Sequence, residues 1–309
     1  MDESRRYVLE TAFQIDPIVA PIWFLAASYI YEKDMEDTAW AKSVFPLLLK
    51  NYRWFCEHRR NNNFTFSWGT DNEDKSELIL LKGKVGAVYE SGLDDSPMFD
   101  CMQLRSSCLD HACVDLSSLI YCACEILKQF AVLLGENMET LSEDEARYAD
   151  ALHSFFDPGQ KAFSSYHLET HRFVTELTPC SFYPLLTSHV TKAEIDACAE
   201  LVLSEKFKHN QLIPSLMYSS RFLNADGDYW RGRIWPPQVW LTCRGFKRHK
   251  HPVYSVLREC SEAMFMKEWA RHGHVHENYS GTTGFGEAQE YVYARTCPMY
   301  SWGGLLGVL

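Results

Sequence analysis

Apolar residues recur along much of this chain at intervals of three and four, the spacing that places them on one face of an α-helix. The clearest pattern begins near Asp115, which suits an N-cap, and ends at Gly135, which suits a helix terminus. Residues 21–32 and 46–58 predict two more helices. Others are predicted where a capping box or a helix-opening proline precedes an apolar pattern, at Ser142 with Glu145, Thr191 with Glu194, Pro236 with Pro237, and Pro252.

Three connections between these helices are much longer than the median of about five residues. They cover roughly residues 61–110, 157–190 and 273–299, and they are polar, aromatic and glycine-containing. Few segments show the alternation of apolar and polar residues that is typical of β-strands, and the sequence has no internal repeat of fixed period. The pattern therefore predicts one all-α domain over residues 1–309, a scaffold such as a helical toroid, with its functional site built from connections on one rim.

Composition narrows the functional classes. The net charge of −11 argues against a protein that binds nucleic-acid phosphates, and the opening MDESRRYVLE lacks the apolar run of a signal peptide. No stretch approaches about 20 uninterrupted apolar residues. We therefore expect a protein that is neither secreted nor embedded in a membrane.

The cysteines indicate a reducing compartment. There are eleven, an odd number, and several fall inside apolar helical patterns where they act as small buried hydrophobic residues. Their spacing is not that of a structural zinc site, so we predict no metal there. The expected location is the cytoplasm.

Carboxylates are concentrated in the first long connection. Between Tyr89 and Pro97, three of six consecutive residues are acidic, namely Glu90, Asp94 and Asp95, beside Gly92. Taken alone, this pattern is more typical of an acidic surface turn. Adjacent carboxylates also have a chemical use, since repulsion and burial keep one of them protonated near neutral pH.

Indoles and guanidiniums alternate immediately before the helix predicted at Pro236. The sequence runs Trp230-Arg231-Gly232-Arg233-Ile234-Trp235. Tryptophan stacks on sugar rings and arginine hydrogen-bonds to hydroxyls and anions, so the segment suits a carbohydrate pocket. Helix-start packing with both indole rings in the core is an equally good interpretation of the segment alone.

A single carboxylate, Glu277, lies in a glycine-rich segment that runs from His276 to Gly286. On its own, a glutamate there is more typical of a surface residue or a loop cap. His272, His274 and His276 alternate just before it, but alternation on a loop with one nearby carboxylate is poor ligand geometry. We therefore predict no metal site.

The order of these three segments resembles that of glycoside hydrolase family 63, which includes processing α-glucosidases and bacterial mannosylglycerate hydrolases. Ser91-Gly92-Leu93-Asp94-Asp95 resembles the acid motif of that family, and Glu277-Asn278-Tyr279 resembles its base motif. Trp230-Arg231-Gly232 with Ile234-Trp235 is similar to its Trp-Arg-Gly-Pro-Ile-Trp motif, and Tyr300-Ser301-Trp302 to an aromatic helix start near its C-terminus. Trehalases share a related acid motif, which extends the likeness to a wider clan.

The resemblance implies an (α/α)6 barrel, an inverting exo-acting glycosidase of small glucosides or mannosides, and no cofactor. Asp94 matches the general acid and Glu277 the general base, while Trp230, Arg231 and Trp235 match residues that line the sugar pocket. An inverting enzyme protonates the glycosidic oxygen with one carboxylic acid while the other carboxylate activates water. Further candidates for sugar contacts are Trp68, Tyr89, Glu90, Asp95, Tyr279 and Trp302.

Two features depart from the family pattern. Arg233 stands where the family usually carries proline, and an anionic aglycone such as glycerate would suit either Arg231 or Arg233 as its cationic partner. About nine helices are predicted, fewer than the twelve of a complete toroid. The missing helices would lie before residue 1, so a fragment, a trimmed barrel or a barrel completed by a partner are all consistent with the sequence.

Two other classes of function stay open. One is a non-catalytic carbohydrate-binding or scaffold protein on an incomplete barrel, although such a protein has no need for both Asp94 and Glu277. The other is a sugar epimerase or polysaccharide lyase on a similar toroid, in which histidine or tyrosine transfers the proton. The histidines at 272, 274 and 276 keep that second alternative open.

Overall fold

The structure is a computed structural model that describes residues 20–33, 37–70, 83–207, 212–224, 229–286 and 296–309. The opening residues 1–10 and parts of the first and third long connections lie outside these ranges. The α-helices of the described residues are α1 (Trp23–Lys33), α2 (Thr38–His58), α3 (Gly83–Ser91), α4 (Val114–Leu134), α5 (Glu139–Leu152), α6 (Lys192–Leu203), α7 (Pro236–Arg248) and α8 (Val253–His272).

Strands are short and 3-10 helices fill parts of the long connections. The strands are β1 (Leu104–Arg105), β2 (Cys108–Leu109), β3 (His111–Ala112), β4 (Phe156–Asp157), β5 (Ala162–Phe163) and β6 (Tyr166–His167). β1 pairs antiparallel with β2, and β4 with β5. The 3-10 helices are Pro97–Phe99, His153–Phe155, Pro179–Leu186 and Ser301–Gly307. Helices thus dominate the described residues.

The chain forms two compact units, each made of two separate stretches. The first unit comprises the residues up to Gly92 together with Gln103–Ser154, and the second comprises Leu93–Met102 together with Phe155–Leu309. Asp94, Trp230 and Glu277 all belong to the second unit. The prediction of one catalytic domain over residues 1–309 stays a prediction.

Helix α4 is the core of the first unit, where it contacts α1, α2 and α5. Over its 21 residues it is long and apolar enough to cross a membrane, which the sequence analysis did not anticipate. In the described structure, however, 78% of its most apolar window is buried within the protein. Burial of this kind is typical of a core helix, so the helix is weak support for a membrane span.

Asp115 does not cap α4 as predicted, because the helix begins at Val114 and Cys113 is its N-cap. The carboxylate is 2% exposed and accepts a hydrogen bond of 2.9 Å from the indole N–H of Trp68. Trp68 is itself fully buried. It therefore offers no face to a sugar in this structure, and its assignment as a substrate contact was wrong.

Burial raises the pKa of Asp115 to about 6, although the hydrogen bond from Trp68 opposes that effect. The folded state therefore holds a proton that the unfolded chain, with a pKa of about 3.9, releases. The resulting stabilisation is fully present below that unfolded pKa and is lost as the pH rises through about 6. It amounts to about 3 kcal/mol.

Asp115→Asn is expected to remove this pH dependence, because the amide oxygen still accepts from Trp68 but does not titrate. The free energy of unfolding of the variant relative to wild type should rise by about 3 kcal/mol between pH 3.5 and pH 7. Urea denaturation across that range measures it. Asp150→Asn, an exposed carboxylate on α5, is the matched control. Parallel curves for wild type and Asp115→Asn would contradict the prediction.

Several predicted boundaries are confirmed. Thr191 and Glu194 form a capping box at the start of α6, and Pro236 opens α7. Helix α8 starts directly after Pro252. Gly135 ends α4 in the left-handed conformation, with a φ of 70°.

Other boundaries were wrong. Helix α2 begins at Thr38 rather than at residue 46, because Asp37 accepts hydrogen bonds from the backbone N–H groups of Ala39 and Trp40. Ser142 lies inside α5, where its N–H donates to Met138, and Asn137 accepts from Glu139 at the helix start instead. Helix α3, within the first long connection, was not predicted.

The second unit is organised around α7. This helix contacts α8 and the 3-10 helices Pro179–Leu186 and Ser301–Gly307. The tryptophan- and arginine-rich segment therefore leads directly into the most central helix of its unit. Helix α8 ends at His272, just before the segment that carries Glu277.

Candidate active site

Asp94 lies in a tight turn that follows α3 and Gly92. Ser96 donates its N–H to the carbonyl of Leu93 at 2.9 Å, and Pro97–Phe99 then form a fully buried 3-10 helix. Met98 anchors this helix, since its sulfur accepts from the hydroxyl of Thr178 at 3.7 Å. The carboxylate of Asp94 is left partly buried beside a rigid turn.

Glu277 lies on an extended segment held on both sides. Tyr279 and Ile234 exchange backbone hydrogen bonds of 2.8 and 2.9 Å, and the N–H of Glu277 donates to the carbonyl of Cys297 at 2.9 Å. On the opposite edge, the indole N–H of Trp302 donates to the carbonyl of Glu277 at 2.8 Å. Glu277 is 7% exposed, so its backbone is fixed while its carboxylate keeps limited access to solvent.

Arg233 supports this segment from the core. It is fully buried, and its guanidinium hydrogen-bonds to the side chain of Asn278 and to the carbonyl of Gly286, the latter at 2.6 Å. A buried cation at this position therefore joins the two ends of the glycine-rich segment. Arg233 has no surface with which to bind an anionic aglycone, and that suggestion was wrong.

The three histidines do not form a ligand set. His276 is buried and its Nδ1 hydrogen-bonds to Glu268, whose other oxygen accepts from the N–H of Gly286 at 3.2 Å. The rings of His272 and His274 lie near it, with centroids 5.6 and 4.7 Å away. Among the described residues, these three histidines do not bring one nitrogen each within 4.8 Å of one another.

Two tryptophans form a parallel stack beside Glu277. The rings of Trp230 and Trp235 are 3.6 Å apart at an angle of 7°, and Trp302 meets Trp235 edge-on at 5.9 Å. Trp235 is fully buried and Trp230 is 5% exposed. Trp235 packs against the face of Trp230 and exposes no surface, so this structure does not support its assignment as a residue that lines the sugar pocket. Trp230 keeps a small exposed edge, and Trp302 is partly exposed.

Arg231 is the cation of this cluster that remains partly exposed. Its guanidinium lies 3.2 Å from Asp100 and 3.9 Å from Asp95. Asp95 also accepts a hydrogen bond of 2.9 Å from the backbone N–H of Trp230. Asp95 thus joins the turn that carries Asp94 to the segment that carries the tryptophans.

The two candidate catalytic carboxyls are titratable groups in one electrostatic field. Burial raises the pKa of Asp94, a hydrogen bond from its own backbone opposes that effect, and the charge of Asp95 raises the pKa further. Burial also raises the pKa of Glu277, and the charge of Asp94 adds to that effect. For Glu277, a backbone hydrogen bond from Cys297, the hydroxyl of Tyr229 and the charge of Arg233 all favour the ionised form.

These influences differ in a useful way. The anion of Asp94 is stabilised by one backbone hydrogen bond, whereas that of Glu277 is stabilised by a backbone hydrogen bond, the hydroxyl of Tyr229 and the charge of Arg233. Both pKa values are raised, but only that of Glu277 is opposed by a cation and by a side-chain hydroxyl. Pairs of carboxyls whose environments separate their proton affinities are the usual arrangement of an acid and a base in one site.

Tyr229 is a site residue that the sequence analysis missed. Its hydroxyl lies 3.5 Å from Oε1 of Glu277, and its ring meets Trp235 edge-on at 4.7 Å. The sequence feature that could have identified Tyr229 is its position directly before Trp230.

Three further candidates from the sequence are placed elsewhere. Glu90 is 4% exposed, forms a buried ion pair with Arg59 at 2.6 Å and accepts from the N–H of Gly69 at 2.8 Å. Tyr279 is fully buried and its hydroxyl accepts from the N–H of His276 at 3.1 Å. Neither exposes a group to a sugar, so both assignments as substrate contacts were wrong. Tyr89 is partly exposed, and its role stays a prediction.

Gly232 is required by its backbone and by its neighbours. Its φ is 132°, and a β-carbon there would lie 2.6 Å from Cδ1 of Leu223 and 3.1 Å from the backbone of Asn224. Gly232→Ala is expected to lower the free energy of unfolding by about 2–4 kcal/mol, because strain and overpacking add. Thermal or urea unfolding measures this loss.

Gly304→Ala is the matched control, because nothing lies within 4 Å of a β-carbon at that position. Its effect should stay within about 0.5 kcal/mol of wild type. If Gly232→Ala were as stable as Gly304→Ala, the close approach at Gly232 would not exist in solution.

Comparison with known proteins identifies the family of the chain. The mannosylglycerate hydrolase MGH1-like glycoside hydrolase domain matches residues 14–302. The chain belongs to glycoside hydrolase family 63. The resemblance drawn from the three motifs is thereby confirmed.

The chain is also similar to curated relatives and to solved structures with the same fold. The mannosyl-oligosaccharide glucosidase of Saccharomyces cerevisiae is 24% identical over 295 residues, which cover 82% of this chain and 34% of that protein. The chain therefore spans about a third of the length of the curated relatives that it matches. A family 63 mannosylglycerate hydrolase from Thermus thermophilus, crystallised with glucose, has a TM-score of 0.75 at 21% identity, and the match covers 94% of this chain and 74% of that one.

The neutral trehalase Nth1 of Saccharomyces cerevisiae shares the fold more distantly. Its TM-score is 0.64 at 17% identity, over 86% of this chain and 56% of that one. The predicted fold class, an all-α (α/α)6 helical toroid, is confirmed by these structures. The wider likeness to trehalases was also expected from the acid motif.

Proposed function

We propose that this chain carries the catalytic domain of an inverting, exo-acting glycoside hydrolase that releases a terminal α-linked glucose or mannose. The observation that carries the proposal is the pair Asp94 and Glu277, two partly or largely buried carboxyls that interact electrostatically within one unit, of which only Glu277 is faced by a cation and a side-chain hydroxyl. Membership of family 63 supports the same class of reaction.

The proposed reaction needs one proton donor and one proton acceptor. Asp94 gives its proton to the glycosidic oxygen as the bond from that oxygen to the anomeric carbon breaks. Glu277 takes a proton from a water molecule, and the oxygen of that water forms the new bond to the anomeric carbon from the opposite face. Atoms and charge balance without a cofactor, since the leaving group departs as an alcohol and the sugar gains a hydroxyl.

Substrate contacts are proposed for the groups that keep exposed surface near these carboxylates. Trp230 and Trp302 offer aromatic edges to a sugar ring, and Arg231 offers donors to hydroxyls or to an anionic aglycone. The named relatives act on mannosylglycerate and on mannosyl-oligosaccharides, which makes α-mannosides and α-glucosides the first substrates to test. Eleven free thiols support a reducing compartment, so cytoplasmic location stays our expectation.

The proposal is tested by measuring sugar release from a panel of α-glucosyl and α-mannosyl glycosides, including glycerate conjugates. Proton NMR of the first product follows its anomeric configuration. We expect a β-configured sugar to appear first, before mutarotation, from at least one α-glycoside. Release of the α-anomer would exclude inversion, and complete inactivity of the purified chain would favour a non-catalytic carbohydrate-binding protein.

A further inference from the structure

Within the part of the chain that the structure describes, the hydroxyl of Tyr229 is the side-chain donor that approaches the carboxylate of Glu277. The distance from Oη to Oε1 is 3.5 Å, which is long for a hydrogen bond. Catalytic hydrogen bonds are often long in free enzymes and shorten in the substrate complex. A gap of this size also leaves both oxygens able to contact one water molecule.

The frame around Tyr229 is rigid on the side that faces Glu277. The backbone carbonyl of Tyr229 accepts from the buried indole N–H of Trp235 at 2.9 Å. The ring of Tyr229 packs edge-on against both stacked indoles, at 4.7 Å from Trp235 and 6.1 Å from Trp230. Glu277 is itself held through its backbone by Trp302 and Cys297. Both residues of the pair are therefore fixed by contacts with their neighbours.

The direction of this hydrogen bond is fixed by charge. Burial raises the pKa of the Tyr229 hydroxyl, and the charges of Glu277 and Asp94 raise it further, so the phenol stays protonated. An ionised carboxylate only accepts hydrogen bonds, so Tyr229 donates and Glu277 accepts. Donation favours the ionised form of Glu277, which is the form that a general base needs.

We propose that Tyr229 is a positioning residue whose hydroxyl orients the Glu277 carboxylate toward the water that it activates. The inference rests on the proposed function and adds to it a residue that acts through the base rather than on the sugar. The groups that face Glu277 are Tyr229, Asp94, Arg233 and the backbone of Cys297, and Tyr300 faces Tyr229. Of these, Tyr229 is the one whose neutral donor can be removed without changing a charge.

Tyr229→Phe is the direct test, because it keeps the ring against Trp235 and removes the hydroxyl alone. We expect kcat to fall about tenfold or more with little change in KM. Loss of the donor should also raise the pKa of Glu277, so the acidic limb of the kcat/KM profile should move to higher pH by about one unit. The alkaline limb, which reports Asp94, should stay in place.

Tyr218→Phe is the matched control. Its hydroxyl donates to the carbonyl of Gly281 at 2.9 Å, in the same glycine-rich segment, and Tyr218 is not among the groups that shift the pKa of Glu277. Removing it weakens that segment without removing a donor from Glu277. We expect a lower melting temperature and an unchanged acidic limb. If both variants moved the limb equally, the effect would come from the segment and the proposal would fail.

A titration that does not require activity separates this inference from the proposed function. Carbon-13 NMR of glutamate-labelled protein, with Glu277→Gln to assign the signal, reports the pKa of Glu277 in wild type and in Tyr229→Phe. A higher pKa in the variant supports the positioning role even if no substrate has been found. An unchanged pKa, with an unchanged pH profile where activity exists, overturns it while leaving the two-carboxylate mechanism intact.

Discussion

Glu277→Gln is expected to lower the rate of hydrolysis by about three orders of magnitude, within the range that a general base usually contributes. The amide has the size of the carboxylate, and the contacts that hold residue 277 run through its backbone, to Trp302 and Cys297. The variant should therefore fold and still bind the sugar. It lacks only the anion that accepts a proton from water.

The measurement is the initial rate of sugar release at substrate concentrations spanning KM. Glu259→Gln, an exposed residue on α8, controls for the exchange of a carboxylate for an amide and should keep wild-type activity. Retained activity in Glu277→Gln would exclude this residue as the base. A loss that appeared only in KM would instead indicate a binding role.

Asp94→Asn is expected to produce a loss that depends on the leaving group. Glycosides with ordinary alcohol leaving groups need a proton on the departing oxygen, so kcat/KM should fall by about three orders of magnitude. A glycosyl fluoride leaves without protonation, so its rate should fall by less than about tenfold. The alkaline limb of the pH profile should also disappear, because that limb reports the acid whose pKa burial and Asp95 raise.

The comparison with Glu277→Gln makes this test specific. Loss of the base removes the activation of water, which both classes of substrate need, so Glu277→Gln should be slow on the fluoride as well. An Asp94→Asn variant that was equally slow on both substrates would not be a proton-donor variant. Its defect would then lie in folding or in sugar binding, which circular dichroism and the KM values distinguish.

Local sequence chemistry predicted several helix ends correctly. Thr191 with Glu194, Pro236 and Gly135 each act through hydrogen bonds or backbone preferences within a few residues, so their effect is visible in the sequence alone. The same reasoning failed at Ser142, whose spacing to Glu145 fits a capping box but also fits a position inside a helix. The side chain of Asn137 instead accepts a hydrogen bond from the backbone N–H of Glu139 at the start of that helix.

Helix α3 was missed because its sequence, from Gly83 to Ser91, is short and has little apolar periodicity. Its position matters, since the acid motif begins at the end of that helix. Three motif positions, at Asp94, Trp230 and Glu277, were nevertheless enough to predict the family. The order of the motifs can therefore be recognised even where the boundaries of a short helix cannot be predicted.

The sequence by itself determined that this is a helical protein of family 63 and which carboxylates are candidates for acid and base. Only the tertiary structure decided which neighbours face them. Four residues with suitable chemistry for binding a ligand are buried and hydrogen-bonded to other parts of the protein, namely Trp68, Glu90, Arg233 and Tyr279. Tyr229, in contrast, approaches the carboxylate of Glu277. The physical reason is that a residue's type fixes what it can bind, while its exposure and partners depend on packing between segments far apart in the chain.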